Sequence, residues 1–167
     1  PYCRTAFFAG ARADAERKGG VAMDRLMRAA CEEALLGLKE GGIPIGGVLV
    51  HCGEIVARGH NRRMQEGNPM LHGETDTLAR AGRHPASFYP ECVLYTTLSP
   101  CIMCSGAIAL YKIPEIVIGE AVNFPGEPDF LRSRGVNVTI LNDPELIAMM
   151  RRFIAENPTL WNEDIAE

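Results

Sequence analysis

The chain has 167 residues, 47% of them hydrophobic and 23% charged, with a net charge of −4. That length suits one domain with one sizeable core, and the balance is that of an ordinary globular protein. The acidic sum argues against nucleic acid as a partner, since phosphate binding needs clustered Lys and Arg, and no run approaches the ~18 apolar residues that span a bilayer, which argues against a membrane.

Residues 1–22 stand apart from the rest of the chain. They are rich in Ala, Gly and Arg and show no sustained periodicity, and the apolar stretch 6–10 is too short for a signal-peptide core. Met23-Asp24 has the look of a natural start. The expectation is an N-terminal extension over 1–22, non-native or disordered, with a helical arm as the alternative, and a single domain over 23–167.

From Asp24 the pattern is helical: Leu26, Met27, Ala30, Ala34, Leu35 and Leu38 recur at three and four residues and form one apolar stripe, stopped by Gly41-Gly42. The run 43–50 reads as a buried strand with Pro44 near its start. A hairpin turn at 51–54 leads to a returning strand ending at His60, and 61–71 reads as a polar loop. His72 opens a helix over 73–81 that ends near Gly82. The run 92–97 is strand-like, Cys101 begins a helix to about residue 111, and 115–119 and 136–141 are short strands. Pro144 and Pro158 sit in the first turns of two closing helices, the first over 145–155. Strands alternate with helices, so a layered α/β domain is expected.

The six cysteines, Cys3, Cys31, Cys52, Cys92, Cys101 and Cys104, are too sparse to staple a small secreted fold. Cys31, Cys52 and Cys92 are expected to sit in apolar surroundings, where a free cysteine behaves as a small hydrophobe. The pattern suits a reducing cytoplasm.

The chemistry concentrates in His72-Gly73-Glu74 and, 29 positions after His72, in Pro100-Cys101-Ile102-Met103-Cys104. Cys101 and Cys104 lie about one helical turn apart on one face. A helix N-terminus lowers thiol pKa values and favours the thiolates that zinc needs. His72, Cys101 and Cys104 therefore offer three ligands and leave a fourth position for water, which zinc activates. Glu74, two residues past His72, is placed to take a proton from that water and return protons to a ring nitrogen and a departing amine. A lone C-x-x-C is also a redox pair or half of a structural zinc site, with Cys92 as the nearest extra ligand. The combination H-x-E…P-C-x-x-C is far more specific: it is the signature of zinc deaminases. His51 and His60 read as turn and strand-end residues, and His84 as a surface loop residue.

From Met23 onward the chain resembles the fungal-type cytosine deaminase group of the cytidine deaminase-like superfamily. The resemblance rests on 39–47, Gly59-His60-Asn61, Leu71 to Glu74, 94–104, Val122-Asn123-Phe124, and Trp161 with Glu163-Asp164-Ile165. It implies a three-layer α/β/α fold with a central mixed five-stranded sheet and a homodimer. It implies one Zn2+ per chain on His72, Cys101 and Cys104, with Glu74 as the catalytic proton shuttle. Asn61 and the Gly73 amide would bind the ring carbonyl, Asp164 the amino group, and Phe124 and Trp161 would cover the base. The fungal group has an acidic residue between the two cysteines and a phenylalanine shortly after Gly-His-Asn. Here Ile102 and Met64 stand there, and both are taken as further substrate contacts.

The reading is thus a zinc-dependent hydrolase acting on cyclic amidines, with a small-molecule nucleobase as substrate: cytosine to uracil with release of ammonia. Isocytosine or another amino-heterocycle such as guanine is the alternative, because isocytosine presents the same reacting amidine. The two pyrimidines differ only on the remaining edge, where an N–H and a C–H exchange places, so one unpaired buried group there decides between them. A tRNA adenosine deaminase shares the zinc motifs but fits the acidic chain poorly. A non-catalytic zinc domain has no use for Glu74.

Overall fold

A computed structural model describes residues 23–167; the expectations for 1–22 lie outside the described residues. Helix α1 (Arg25–Lys39) starts where Asp24 Oδ1 accepts from the amides of Leu26 and Met27, at 2.9 and 2.8 Å, which satisfies two of the donors a helix start leaves open. It stops at Gly41, whose φ of +84° suits glycine alone. Strands β1 (Gly46–His51) and β2 (Glu54–His60) form a hairpin. Its two turn residues, Cys52 and Gly53, have φ of 52° and 84°, the left-handed pair that matches strand twist.

A helical turn, α2 (Arg63–Glu66), interrupts the next loop, and α3 (Gly73–Ala81) comes after it. Then come β3 (Cys92–Leu98), α4 (Ile102–Leu110), β4 (Glu115–Glu120), α5 (Pro128–Ser133), β5 (Asn137–Ile140), α6 (Pro144–Glu156) and α7 (Pro158–Ile165).

The sheet order is β2-β1-β3-β4-β5. β1 is antiparallel to β2 and β3, while β3, β4 and β5 run parallel, so the sheet is mixed as expected. Side-chain alternation sorts the core into two layers. Val48, Val50, Val93, Tyr95 and Val117 meet α1 and α6 on one face. Leu49, Leu94, Ile116 and Ile118 meet α3, α4 and α5 on the other. All seven residues of β3 are buried, as a strand covered on both faces requires. A third cluster, with Ile43, Ile45, Leu98, Phe153 and Trp161, closes the carboxyl end of β3. That end is where open α/β sheets place ligands.

The structure differs from the sequence reading at four places. The first ladder begins at Gly46, not at 43, because Pro44 has no N–H and the Ile45 N–H turns back to the Ile43 carbonyl at 2.8 Å. The short helices α2 and α5 have no counterpart among the expected elements. Cys52 lies in the exposed hairpin turn, not among apolar side chains. His84 is half-buried, stacked on Phe88 with ring centroids 3.8 Å apart.

Two glycines set the distance between layers. A Cβ on Gly46 would overlap the Ala30 carbonyl oxygen and the Ala34 nitrogen of α1. One on Gly59 would lie 2.6 Å from the Thr77 nitrogen of α3. Both obstacles are backbone and cannot swing away. Gly46→Ala is therefore expected to cost about 2 kcal/mol or more, at the upper end of overpacking effects. Urea denaturation against the unsubstituted protein checks this; a change below about 0.5 kcal/mol would mean that α1 shifts freely.

Candidate active site

His72 is the residue just before α3, with φ −73° and ψ 167°, and Cys101 stands likewise before α4, with φ −69° and ψ 173°. Neither side chain caps its own helix. They face each other instead, with His72 Nδ1 3.5 Å from Cys101 Sγ. Cys104, in the first turn of α4, is fully buried beside them, and the three donor atoms lie within 4.8 Å of one another. Tetrahedral zinc with ordinary Zn–N and Zn–S lengths separates neighbouring donors by about 3.6 Å. The trio fits that ion. The other ring nitrogen, His72 Nε2, faces Asp164 Oδ1 at 3.7 Å, the kind of carboxylate partner that orients a ligating imidazole.

Hydrogen bonds with Cys104 and then His72 outweigh burial and bring the Cys101 thiol down to about 4. Burial lowers the His72 imidazole, but the hydrogen bond with Cys101 and the charge of Asp164 outweigh it and raise the group to about 9. Glu74, buried in the first turn of α3, accepts a hydrogen bond from Thr96 Oγ1 at 2.9 Å. Burial first, and then the Cys101 charge, raise its carboxyl above the usual range.

His72, Glu74 and Cys101 line a small pocket with a free volume of about 20 Å³. Ile45 and Leu98 form its sides, and Phe124, Trp161 and Ile165 its cover. Phe124 meets Trp161 edge-on, with ring centroids 5.9 Å apart. Trp161 and Asp164, one turn apart on α7, are both buried. Asn61, fully buried at the end of β2, donates from Nδ2 to Asp164 Oδ1 at 2.9 Å, while its Oδ1 accepts from the Arg63 amide at 3.1 Å. Gly73 is the first residue of α3, where a backbone N–H has no partner inside the helix.

Most residues singled out in the sequence thus converge. Met64 and Ile102 do not: they are 47% and 58% exposed and neither lines the pocket. Ile102 opens α4 facing away from the side on which Cys101 and Cys104 meet His72, and Met64 projects from α2. Cys92 is no zinc ligand either. It is buried against Leu49 and Tyr89 in the core, and burial pushes its thiol up to about 12. Among the described residues the cluster keeps three members, with Glu74 beside it. Thr96 and Ser99, the latter lining the pocket, escape the sequence reading. Their signal is polar residues inside an otherwise apolar central strand and its exit.

Residues 22–120 match the cytidine and deoxycytidylate deaminase zinc-binding region. A cytosine deaminase of Candida albicans is 46% identical over 142 residues, 84% of this chain and 95% of that protein. A tRNA-specific adenosine deaminase of Bacillus subtilis is 39% identical over 94 residues, 56% of this chain and 58% of its own length. A solved guanine deaminase from Nitrosomonas europaea shares the fold, with a TM-score of 0.67 at 23% identity, over 86% of this chain and 91% of that one. Carrying that zinc-binding region around a three-ligand centre with a buried carboxylate beside it, the chain belongs to the cytidine and deoxycytidylate deaminase family and is a zinc-dependent hydrolytic deaminase.

Proposed function

We propose that the protein deaminates free cytosine to uracil, with release of ammonia. The observation that carries this reading is the cover. One short helix, α7, brings Trp161 and Asp164 against the donor trio and narrows the pocket to a space suited to a small ligand. A nucleotide held in a tRNA loop would need that side open. The kinship with the Candida albicans cytosine deaminase over nearly the whole of both chains supports the same substrate.

Zinc on His72, Cys101 and Cys104 supplies a Lewis acid that brings the pKa of water towards about 7. The rest falls to the side chains. Glu74 takes one proton from the attacking water and gives it to the ring nitrogen next to the amino-bearing carbon. It then carries the second proton of that water to the amine, which leaves as ammonia. Thr96 fixes the Glu74 carboxylate while this happens. Asn61 uses its second Nδ2 hydrogen, with the Gly73 N–H, to hold the ring carbonyl. Asp164 accepts from the departing amino group. Phe124 and Trp161 stack over the ring and keep out further water.

We also read the protein as a cytoplasmic homodimer serving pyrimidine salvage. No helix of the described residues is long and apolar enough to cross a membrane. Helix α4 is apolar on all sides, yet Leu110 at its end is 74% exposed, with Tyr111 and Ile102 also outside. A second copy covering that face would also cover Ile102.

Glu74→Gln is expected to retain about one zinc per chain and the native melting temperature, while kcat falls by roughly 10²–10⁴-fold; retained turnover would remove Glu74 from the chemistry. In an ammonia-release screen over cytosine, isocytosine, 5-methylcytosine, guanine, adenine and the matching nucleosides, cytosine should give the highest kcat/KM. Preference for a purine or a nucleoside would overturn the substrate. Leu110→Glu should convert the dimer to monomer in sedimentation velocity, and an unchanged sedimentation coefficient would place the interface elsewhere.

A further inference from the structure

We propose that His60, clamped between Glu33 of α1 and Glu40 at its C-terminal cap, is a positioning residue that sets Asn61 against Asp164 at the edge of the pocket. His60 is 3% exposed. Its Nδ1 lies 3.0 Å from Glu33 Oε2 and its Nε2 3.1 Å from Glu40 Oε2. The two carboxylates are seven residues apart on α1, about two turns, and share one face. Gly37 lies between them, and a Cβ there would come within 3.0 Å of His60 Cδ2. The helix thus presents a seat shaped for one imidazole. The backbone of His60 is held as well: its N–H donates to Asp76 Oδ2 at 3.2 Å, and Arg80 Nε fixes that carboxylate at 2.7 Å.

None of these groups touches the pocket, yet all bear on its rim. Glu40 ends α1 and leads into 41–45, whose last residue, Ile45, lines the pocket. The Ile45 carbonyl accepts the Asn61 N–H at 2.8 Å. The clamp therefore joins the two chain segments that carry Ile45 and Asn61. Among the described residues β2 is an edge strand, with no strand on its outer side. Asp76 and the two glutamates do what a neighbouring strand would otherwise do. Hydrogen bonds each add only a little net stability, so the value of these is the fixed direction of Asn61.

This inference rests on the reading of Asn61 as donor to the ring carbonyl, and a double-mutant cycle separates the two. The probe is cytosine, assayed on the zinc-loaded protein bearing His60→Gln, Asn61→Ala, or both. A second clamp variant, Glu40→Gln, touches only the more exposed arm and guards against a folding defect in the first. His60→Gln is expected to raise KM roughly tenfold, the size of one displaced hydrogen bond, with kcat changed much less and zinc content unchanged. Glu40→Gln should shift KM in the same direction by less. On the Asn61→Ala background His60→Gln should have no further effect. Full additivity in the double variant would overturn the positioning role while leaving Asn61 as a ligand. An unchanged KM in both His60→Gln and Glu40→Gln would do the same. An Asn61→Ala protein with the original kcat/KM would overturn the reading of Asn61 and the clamp's purpose together.

Discussion

Two helices must begin within a few ångströms of each other for this pocket to exist. His72 and Cys101 each occupy the last extended position before a helix, and their side chains meet at 3.5 Å. Both helix starts then turn their positive ends on the same point, where thiolates are needed. The sheet enforces this. α3 is pressed against β2 by Gly59, and α4 leaves directly from the end of β3. Because β3 is buried on both faces, the turn 99–101 has a rigid base. The Pro100 carbonyl is tied further by the Glu127 N–H at 3.0 Å, and Ser99 Oγ donates to the Pro125 carbonyl at 2.8 Å.

The second requirement is a cover that also carries charge. α7 supplies it from the far end of the chain, and Asn61 and Asp164, 103 residues apart in sequence, meet by a hydrogen bond at 2.9 Å. Asp164 serves two neighbours at once, since it faces His72 Nε2 and accepts from Asn61. A carboxylate is costly to bury unless partners satisfy it. Burial does raise its carboxyl, and the nearby His72 and Asn61 oppose that rise. The cover and the metal centre are therefore coupled through one side chain: a displaced α7 loses both the aromatic face and the orientation of His72.

How much of this is legible in the sequence depends on the range of the interaction. Helices α1 and α6 carry their own side-chain caps and apolar periods, α3 ends at a glycine, and the hairpin carries its turn, so local rules place them within a few residues. The clustering of His72, Cys101 and Cys104 is legible because residue type and spacing are themselves a chemical code. α2 and α5 are not, since four- and six-residue helices are too short to show a period and are held by their surroundings. Met64 and Ile102 read as pocket residues because they flank its motifs in sequence. Adjacency to a ligand does not fix the direction of a side chain, and a residue next to an inward-facing one on a helix start can point outward. His60 does stand at a strand end, but its two partners are 20 and 27 residues away, and no local pattern announces them.

The division of labour between apolar and polar burial has the same layout. The layers α1–sheet and sheet–α3/α4 are filled by Val, Leu, Ile, Met and Ala, each large side chain contributing about 1.5–3 kcal/mol on burial. Of the buried polar residues, His60, Asn61, Glu74, Thr96, Thr97, Ser99, Glu120 and Asp164 gather towards the strand ends that border the pocket, while Asp76, Thr77 and Ser105 lie on α3 and α4. Glu120, at the end of β4, accepts from the amides of Val122 and Asn123 at 2.6 and 3.0 Å, which sets the turn leading to Phe124. Thr97 Oγ1 accepts from the Gly46 N–H at 3.0 Å, one residue after Ile45. Apolar contacts are non-directional and hold layers together without fixing an atom to a fraction of an ångström. Hydrogen bonds to buried carboxylates are short and directional. The costly, directional interactions therefore lie mainly at one end of the sheet, beside the pocket, and stability is left to the apolar layers.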